Sequence, residues 1–521
     1  MTSLTDDAYV GTLHYKQLDP PIKSLEELFI TDTLVSKGQV VQLKTNGHIE
    51  AISGTDTIAP AFPVAPYQQF VGTGGTPQAH TSVLYTSELQ VLIGYENTSS
   101  RNVNLVYADI DKTSATPFTF KAPQLIYQAP GTNTLVYQRC ILDVDYKDPF
   151  TARGVAIWAE AGTGASVGTY IVPWLYTYAG NVLAVGTTPS QLSSSVVDFD
   201  ATFIYGAGFS LQVWVITGDN LLQSVQLDFG SLIATIQTPS QVVDSSAVNL
   251  INPKITDFEG DNGLYVMCYY SNGGIPKGRS IQIDNFPSFT LGAVATNTTS
   301  GTLYDITKKS LRSGNNIIYV LCNQSSPGVG FTEWTYDETT ASFSVSTSTN
   351  VSSGNPAAIE YLVANGTNYL VWFSEAYIVN YPVGGFYNLD TNSNTGFTLV
   401  TSSPADFGAI GVIEQDLDIV YAWQGTGDGR ACLCNLGDRT TNLNANRIIG
   451  IADEDGEIGS RIRVAVLGSV AETNVNTLAP LEDVYVDFNG VISSTPLIGD
   501  VNIGRGLTTQ DTLLSTNPKS I

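Results

Sequence analysis

The sequence predicts an all-β chain, a β-propeller of about seven blades inserted into a small β-sandwich or barrel module. Three observations predict it. Apolar strands of similar pattern recur at intervals of roughly 50 to 64 residues, a period typical of propellers and arrays. Gly, Ser, Asn and Thr fill the gaps between them, and helical periodicity is almost absent. Finally, "SKGQVVQLKTNGHIEAI" near the start and "RIIGIADEDGEIGSRIRVAVLGSV" near the end read as pieces of one small β-unit.

The first 24 residues, with Asp19-Pro20-Pro21 and little apolar content, predict an extended arm docked on a partner. "SLEELF" after residue 23 predicts a short helical turn. Residues 25–58 predict the first part of the small module, including a hairpin that turns at Asn46-Gly47.

Residues 59–446 predict the propeller. Its recurring strand is read in "LQVLIGY", "GVAIWAE", "LQVWVIT", "LYVMCYY", "IIYVLCN", "YLVWFSE" and "DIVYAWQ", marked by Val91, Val155, Val213, Val266, Val320, Val371 and Tyr421. A later strand ends near an aspartate, at Asp109, Asp228, Asp284, Asp337, Asp390 and Asp438, each about 15 to 19 residues past its marker. The second unit breaks this rule: "YIVPWLYTYAG" lacks the Asp and the unit is longer, so an insertion is expected there. A strand before each marker carries acids: Asp143 and Asp145, Asp198 and Asp200, Asp257 and Glu259, Asp305, Glu360 and Glu414. These predict either solvated strand edges or a ring of metal-binding carboxylates around a central channel. A circular array brings its first and last blades together, which suits it to insertion.

Residues 447–521 predict the rest of the small module and a C-terminal tail. Five or six short strands are expected in all, with further turns at Asp455-Gly456 and Asn489-Gly490.

Composition narrows function. The 521-residue chain carries a formal net charge of −25, which opposes binding to phosphate backbones and anionic membranes. Charged residues make up only 14%, against about 25% in ordinary soluble domains. The opening residues lack the basic start and apolar core of a secretory signal, and no apolar run reaches the roughly 18 residues of a membrane span. The five cysteines, Cys140, Cys268, Cys322, Cys432 and Cys434, are too scattered for a disulfide framework and predict buried thiols. "CLC" at 432–434 places two sulfurs on one strand face without the further ligands of a zinc site.

No catalytic, cofactor-binding or metal-ligating set is assigned, and the chain is expected not to be an enzyme. Histidine is limited to His14, His48 and His80, all ahead of the repeats, which argues against a Ser-His-Asp triad in the propeller; His48 is expected to be exposed beside its turn. Sialidase-type S-x-D-x-G-x-x-W boxes are missing, and the repeats hold only Arg101, Arg139, Arg153, Arg279, Arg312, Arg430 and Arg439. Paired carboxylates for glycoside hydrolysis stay open. "ADEDGEIG" at 452–459 lacks the third aspartate and distal Glu of a calcium loop and reads as an acidic turn. Trp174, Tyr176 and Tyr178, and Trp334 and Tyr336, alternate along strands; they pack between blades or stack on a glycan.

The composite module resembles a β-module common in bacteriophage virion proteins, in tail fibres, spikes and head decorations. The matching residues are Gly38 to Gly47, Ile449 to Ala452, Gly456 to Val466, Leu478 to Gly490 and Ile503 to Leu507, in the family's order. Two positions depart from the pattern: Leu481 follows Pro480 where Gly is usual, and Gly506 stands where Ala is usual. The resemblance covers roughly 110 residues and carries no catalytic group. It implies a structural component of a tailed bacteriophage virion, made in the host cytoplasm. The implied partners are other virion proteins and further copies of the chain, a trimer among the options, with attachment to the host surface and a host-surface glycan as an added role. The alternative expectation is a carbohydrate-binding or glycan-hydrolysing propeller; a bacterial surface scaffold is a third.

Overall fold

The computed structural model describes residues 26–520 apart from 64–66, 72–76, 88–89, 98–100, 113, 144–149, 163–166, 205–209, 216–220, 239–240, 245–250, 261–262, 273, 286–287, 298–300, 310–315, 325–327, 338, 353, 365–366, 377–380, 400–405, 414–417, 426–427, 477, 479, 488 and 495–500. The expected N-terminal arm, with His14, lies outside the described residues, as do Asp145 and Glu414 and the side chains of His80, Val213, Glu259, Asp284, Cys322 and Asp438. The chain divides into two compact units, one of residues 1–57 with 438–521 and one of residues 58–437.

The larger unit is a β-propeller. Among the described residues, seven antiparallel sheets follow one another, each with its first strand innermost. The innermost strands are Pro77–Ser87, Thr134–Leu142, Phe199–Ile204, Ile251–Gly260, Gly301–Lys309, Gly354–Ala364 and Asp406–Ile413. Each touches the next and the seventh touches the first, which closes the ring. The seven sequence markers all fall on second strands, from Gln90–Asn97 in blade 1 to Asp418–Gln424 in blade 7. Second strands are covered on both faces, which explains their nearly unbroken apolar runs; in Asp418–Gln424 every residue is buried.

There is no single core. Hydrophobic clusters sit as wedges between neighbouring blades. Leu92, Leu105 and Tyr107 of blade 1 pack with Cys140, Trp158 and Trp174 of blade 2. Tyr265, Met267 and Tyr269 of blade 4 pack with Val320 and Trp334 of blade 5, and Val371 and Phe373 of blade 6 with Tyr421 and Trp423 of blade 7. Blade 7 and blade 1 share Phe70, Val91, Ile93, Val420 and Leu433.

Two of the recurrent aspartates, Asp228 and Asp337, are turn devices. Asp228 Oδ1 accepts from the Gly230 and Ser231 amides at 2.9 and 3.2 Å. Asp337 accepts from the Thr339 amide at 2.8 Å and the Thr340 hydroxyl at 2.9 Å. In blade 6 the capping group is Asn388, which accepts from the amides of Asp390 and Thr391, both at 2.9 Å. Such side-chain-to-backbone bonds fix the four-residue turn between third and fourth strands. The last turn residue is left-handed in blades 2, 3, 5 and 6: Asn181, Leu232, Ala341 and Asn392 have φ of 54°, 53°, 49° and 54°.

The extra length of the second unit does not interrupt its second and third strands. Thr151–Ala161 and Gly168–Thr177 pair in unbroken register, and Thr177 enters the same four-residue turn without an Asp. The extra length falls in the connection between the first two strands of that blade, residues 143–150.

The smaller unit holds two five-stranded sheets rather than five or six strands in total. The first sheet interleaves the chain ends in the order Glu26–Ile30, Arg461–Val466, Ile448–Ala452, Val40–Leu43, Ile49–Ala51. The second sheet runs Val470–Glu472, Asp511–Ser520, Val501–Gly506, Asp483–Val486, Ile492–Ser493. Val40 and Ile451 of the first sheet share a core with Val484, Val501 and Ile503 of the second, so the unit is a sandwich. Val41 points the other way, into a second cluster with Ile49, Ala452, Ile462 and Val464.

"SLEELF" is corrected to a strand: residues 26–30 pair edge to edge with residues 461–465, and that tertiary pairing overrides local helix preference. Turns form at Asn46-Gly47 and Asn489-Gly490, where Gly47 and Gly490 have φ of 81° and 83°. Asp455-Gly456 is not a hairpin turn, because Gly456 exchanges amide bonds with Val35 at 2.8 and 3.0 Å and the chain reverses near Gly459 instead. Gly38 combines a φ of 84° with a position against the Asn474 backbone that leaves no space for a Cβ.

Two substitutions test this account. Ala341→Gly should raise stability by about 1 kcal/mol in chemical denaturation, since Gly relieves a left-handed alanine; Asp337→Ala in the same turn should lower it. Gly385→Ala should cost about 1 to 3 kcal/mol, because the added methyl would enter the Trp372 ring.

Candidate functional site

The strongest polar constellation lies on the innermost strands. One row begins with Arg139 Nε, 3.7 Å from Asp200 Oδ1 of the next blade. Asp200 Oδ2 accepts from the Ile255 amide at 3.0 Å. Lys254 Nζ lies 3.3 Å from Asp305 Oδ1, and Asp305 Oδ2 accepts from the Ile359 amide at 3.0 Å. A second row runs alongside. Thr202 donates to Asp257 Oδ1 at 3.1 Å, and Lys308 Nζ donates to the same oxygen at 2.9 Å. Thr307 donates to Glu360 Oε2 at 3.2 Å and accepts from the Tyr361 amide at 3.1 Å. Every link joins one blade to its neighbour, from blade 2 to blade 6. The period-two alternation of a strand puts Asp200 with Thr202 and Asp305 with Thr307 on one face, which produces the two rows.

The electrostatics follow from depth. Burial, reinforced by the Asp305 carboxylate, pushes Glu360 up to about 8, against the pull of Thr307, the Tyr361 amide and Lys308. Burial also raises Asp198 and Asp200, opposed chiefly by Arg139 for the first and by Lys254 and Arg139 for the second. Of the sequence-selected acids, Asp198, Asp200, Asp257, Asp305 and Glu360 therefore share one region. Asp143 does not join them: it pairs with Arg153 Nε at 2.8 Å, and the Arg153 guanidinium lies 4.7 Å from the Phe229 ring centre of the next blade. Among the described residues, no three His, Cys, Asp or Glu side chains converge as a metal site would require.

Several buried acids were not picked out by the sequence reading: Glu96, Glu160, Asp244, Asp418 and Asp428. Glu96 of blade 1 accepts from Gln138 Nε2 of blade 2 at 2.6 Å, and burial lifts it to about 8. It follows an apolar run with no motif around it, so no sequence signal distinguishes it.

The remaining candidates settle into structural roles. Trp174, Tyr176, Trp334 and Tyr336 are fully buried between blades, and Tyr178 is half-buried against Tyr107 at 5.3 Å between centroids. None of the four buried rings can stack on a sugar. Arg139, Arg153 and Arg430 each face their own acid, with Arg430 gripping Asp428 through two bonds at 2.8 and 3.0 Å. Arg279 donates to the Gly292 carbonyl at 2.7 Å. His48 is partly exposed, with Nδ1 2.6 Å from Asp32 Oδ1, and that contact, with Lys44 and Asn46, holds Asp32 well below the usual carboxylate range. In the acidic 452–459 segment, Asp455 Oδ1 accepts from the Lys37 amide and Glu454 Oε1 from the Arg463 amide, both at 2.8 Å. The Asp455 carboxylate thus joins the two ends of the chain, whereas Glu454 closes its own segment. Cys140, Cys268, Cys432 and Cys434 are buried free thiols.

No family model and no curated protein matches the chain. Similar solved structures include a protein from Lactobacillus plantarum, 12% identical, covering 73% of this chain and 96% of that one with a TM-score of 0.41. AofleA from Arthrobotrys oligospora is 9% identical over 72% of this chain and 99% of its own, with a TM-score of 0.38. A mutant of NanB sialidase from Streptococcus pneumoniae is 10% identical over 74% and 71%, with a TM-score of 0.37. At these identities and scores, no activity passes from those proteins to this chain.

The raised acids set a pH dependence. A carboxyl whose folded pKa is above its unfolded value keeps its proton in the fold, so its stabilisation is complete below the ordinary carboxyl range and is lost as pH rises towards 8. The melting temperature should therefore fall between pH 5 and pH 9. Glu360→Gln should flatten that slope in a thermal-shift series; an unchanged slope would refute the assignment.

Proposed function

We propose that the chain is a non-enzymatic structural component of a tailed bacteriophage virion, in which the sandwich is the mounting module and the propeller is presented for contact with the host surface. The observation that carries this reading is the split module. All the segments that resemble the virion pattern, residues 38–47, 449–452, 456–466, 478–490 and 503–507, belong to the same compact unit. The propeller's charges support a scaffold role, because the clustered carboxylates are consumed by links between blades. The expected partners are other virion proteins and further copies of the chain.

A second reading is a carbohydrate-binding or glycan-hydrolysing propeller. Glu360, held up to about 8 beside the Asp305 carboxylate, has the form of a general acid next to a second carboxyl. Both Asp305 oxygens are already engaged, which favours the joint over the catalyst.

Mass spectrometry and immunogold electron microscopy of purified particles from a lysate test the first reading. Gold on tails or fibres, or over heads, is the expected result. Its absence from particles, together with turnover of a polysaccharide that Glu360→Gln abolishes, would establish the second.

A further inference from the structure

The seventh sheet is built from both ends of the propeller segment. Its third strand, Gly429–Thr441, is the last of the array, and its fourth, Gly54–Pro63, is the first. Gln68–Val71 also pairs with Gly429–Thr441. The ring is thus closed by a seam without a covalent bond across it. One side of the seam is fastened to blade 1: the Gln68 side chain exchanges two bonds with Phe118, at 2.9 and 2.7 Å. Lys112 of blade 1 pairs with the buried Asp418 of blade 7.

The other end of the seam is where the two strands leave the array, and there the Asn442 side chain spans both. Asn442 Oδ1 accepts from the Ser53 amide at 2.8 Å, and its Nδ2 donates to the Ala51 carbonyl at 2.9 Å. The Asn442 amide donates to the Ser53 carbonyl at 3.1 Å. Gln42, 1% exposed, completes the knot: its Nε2 donates to the Asn442 carbonyl and its Oε1 accepts from the Asn444 amide at 3.0 Å. Gln42 lies on Val40–Leu43, which pairs with Ile448–Ala452, so the staple continues into the interleaved sheet.

We propose that Asn442, backed by Gln42, is the lock of the propeller ring, and that the seam cannot part until this staple and the interleaved sheet beyond it have opened. Strand pairs part most readily from a free end. Here the end where the seam would fray is tied by five hydrogen bonds between residues about 390 to 400 apart in sequence. The lock would make the propeller's resistance to unfolding depend on the sandwich. This inference does not rest on the proposed function, and either can fail alone.

The chain supplies its own reporter. All six tryptophans, including Trp158, Trp174, Trp334, Trp372 and Trp423, lie within residues 58–437, so tryptophan fluorescence reads the propeller and not the sandwich. Asn442→Ala in the full-length chain should speed fluorescence-detected unfolding in a denaturant jump by about ten-fold or more, from the loss of two side-chain bonds. Arg463→Ala, which removes an exposed pair with Glu454 in the same unit, should leave that rate within about two-fold of the parent. If Asn442→Ala does not fold, Gln42→Ala, which removes the backing bonds together with a bond to Glu50, decides the matter in the same assay. A tryptophan-detected rate unchanged by the deciding variant, while circular dichroism shows earlier loss of sandwich strands, would overturn the lock.

Discussion

The constraint on which this structure depends is that no blade can cover its own faces. Each sheet is apolar on both sides, and its only cover is the neighbouring sheet. A linear stack would leave two apolar faces in water, whereas a ring leaves none. Closure is therefore the condition under which Trp158, Trp174, Trp334, Trp372 and Trp423 can all be fully buried. Glycines such as Gly385 keep the sheets close where those rings press against them.

Polar residues serve the same closure. Only 14% of the residues are charged, and many of the described charges in the propeller join one blade to the next. Around the inner strands a lysine or an amide meets each carboxylate, and between blades 1 and 2 Glu96 meets Gln138. A deep carboxyl held in such a network is costly to ionise, which is why Glu96 and Glu360 rise to about 8. The carboxylates of the inner strands are thereby engaged as joints between blades.

The repeat was legible in considerable detail. Val91, Val155, Val266, Val320, Val371 and Tyr421 read as buried strand markers and are buried second-strand residues. Two of the aspartates that kept step with them, Asp228 and Asp337, cap one kind of turn, a local interaction between neighbours in sequence and hence visible as a spacing. The reading failed where a distant partner decided the outcome. Residues 26–30 look helical in isolation but become a strand because residues 461–465 lie beside them. Asp455-Gly456 looks like a turn but bridges to Val35. The acids of the inner strands were found, but not their purpose, since Thr202 meets Asp257 and Thr307 meets Glu360 only through the curvature of the ring.

By itself the sequence determined the all-β class, the blade period, the strand faces, the turns at Asn46-Gly47 and Asn489-Gly490 and the presence of a module split between the two ends of the chain. These depend on alternation and on contacts a few residues apart, which composition and spacing record directly. Only the tertiary structure decided which carboxylates became joints, which aromatic rings were lost to the interior, and how Asn442 bonds Ala51 and Ser53. Those outcomes depend on which strands become neighbours in space. Neighbourhood between residues about fifty or four hundred positions apart is set by closure of the ring and leaves no local mark in the chain.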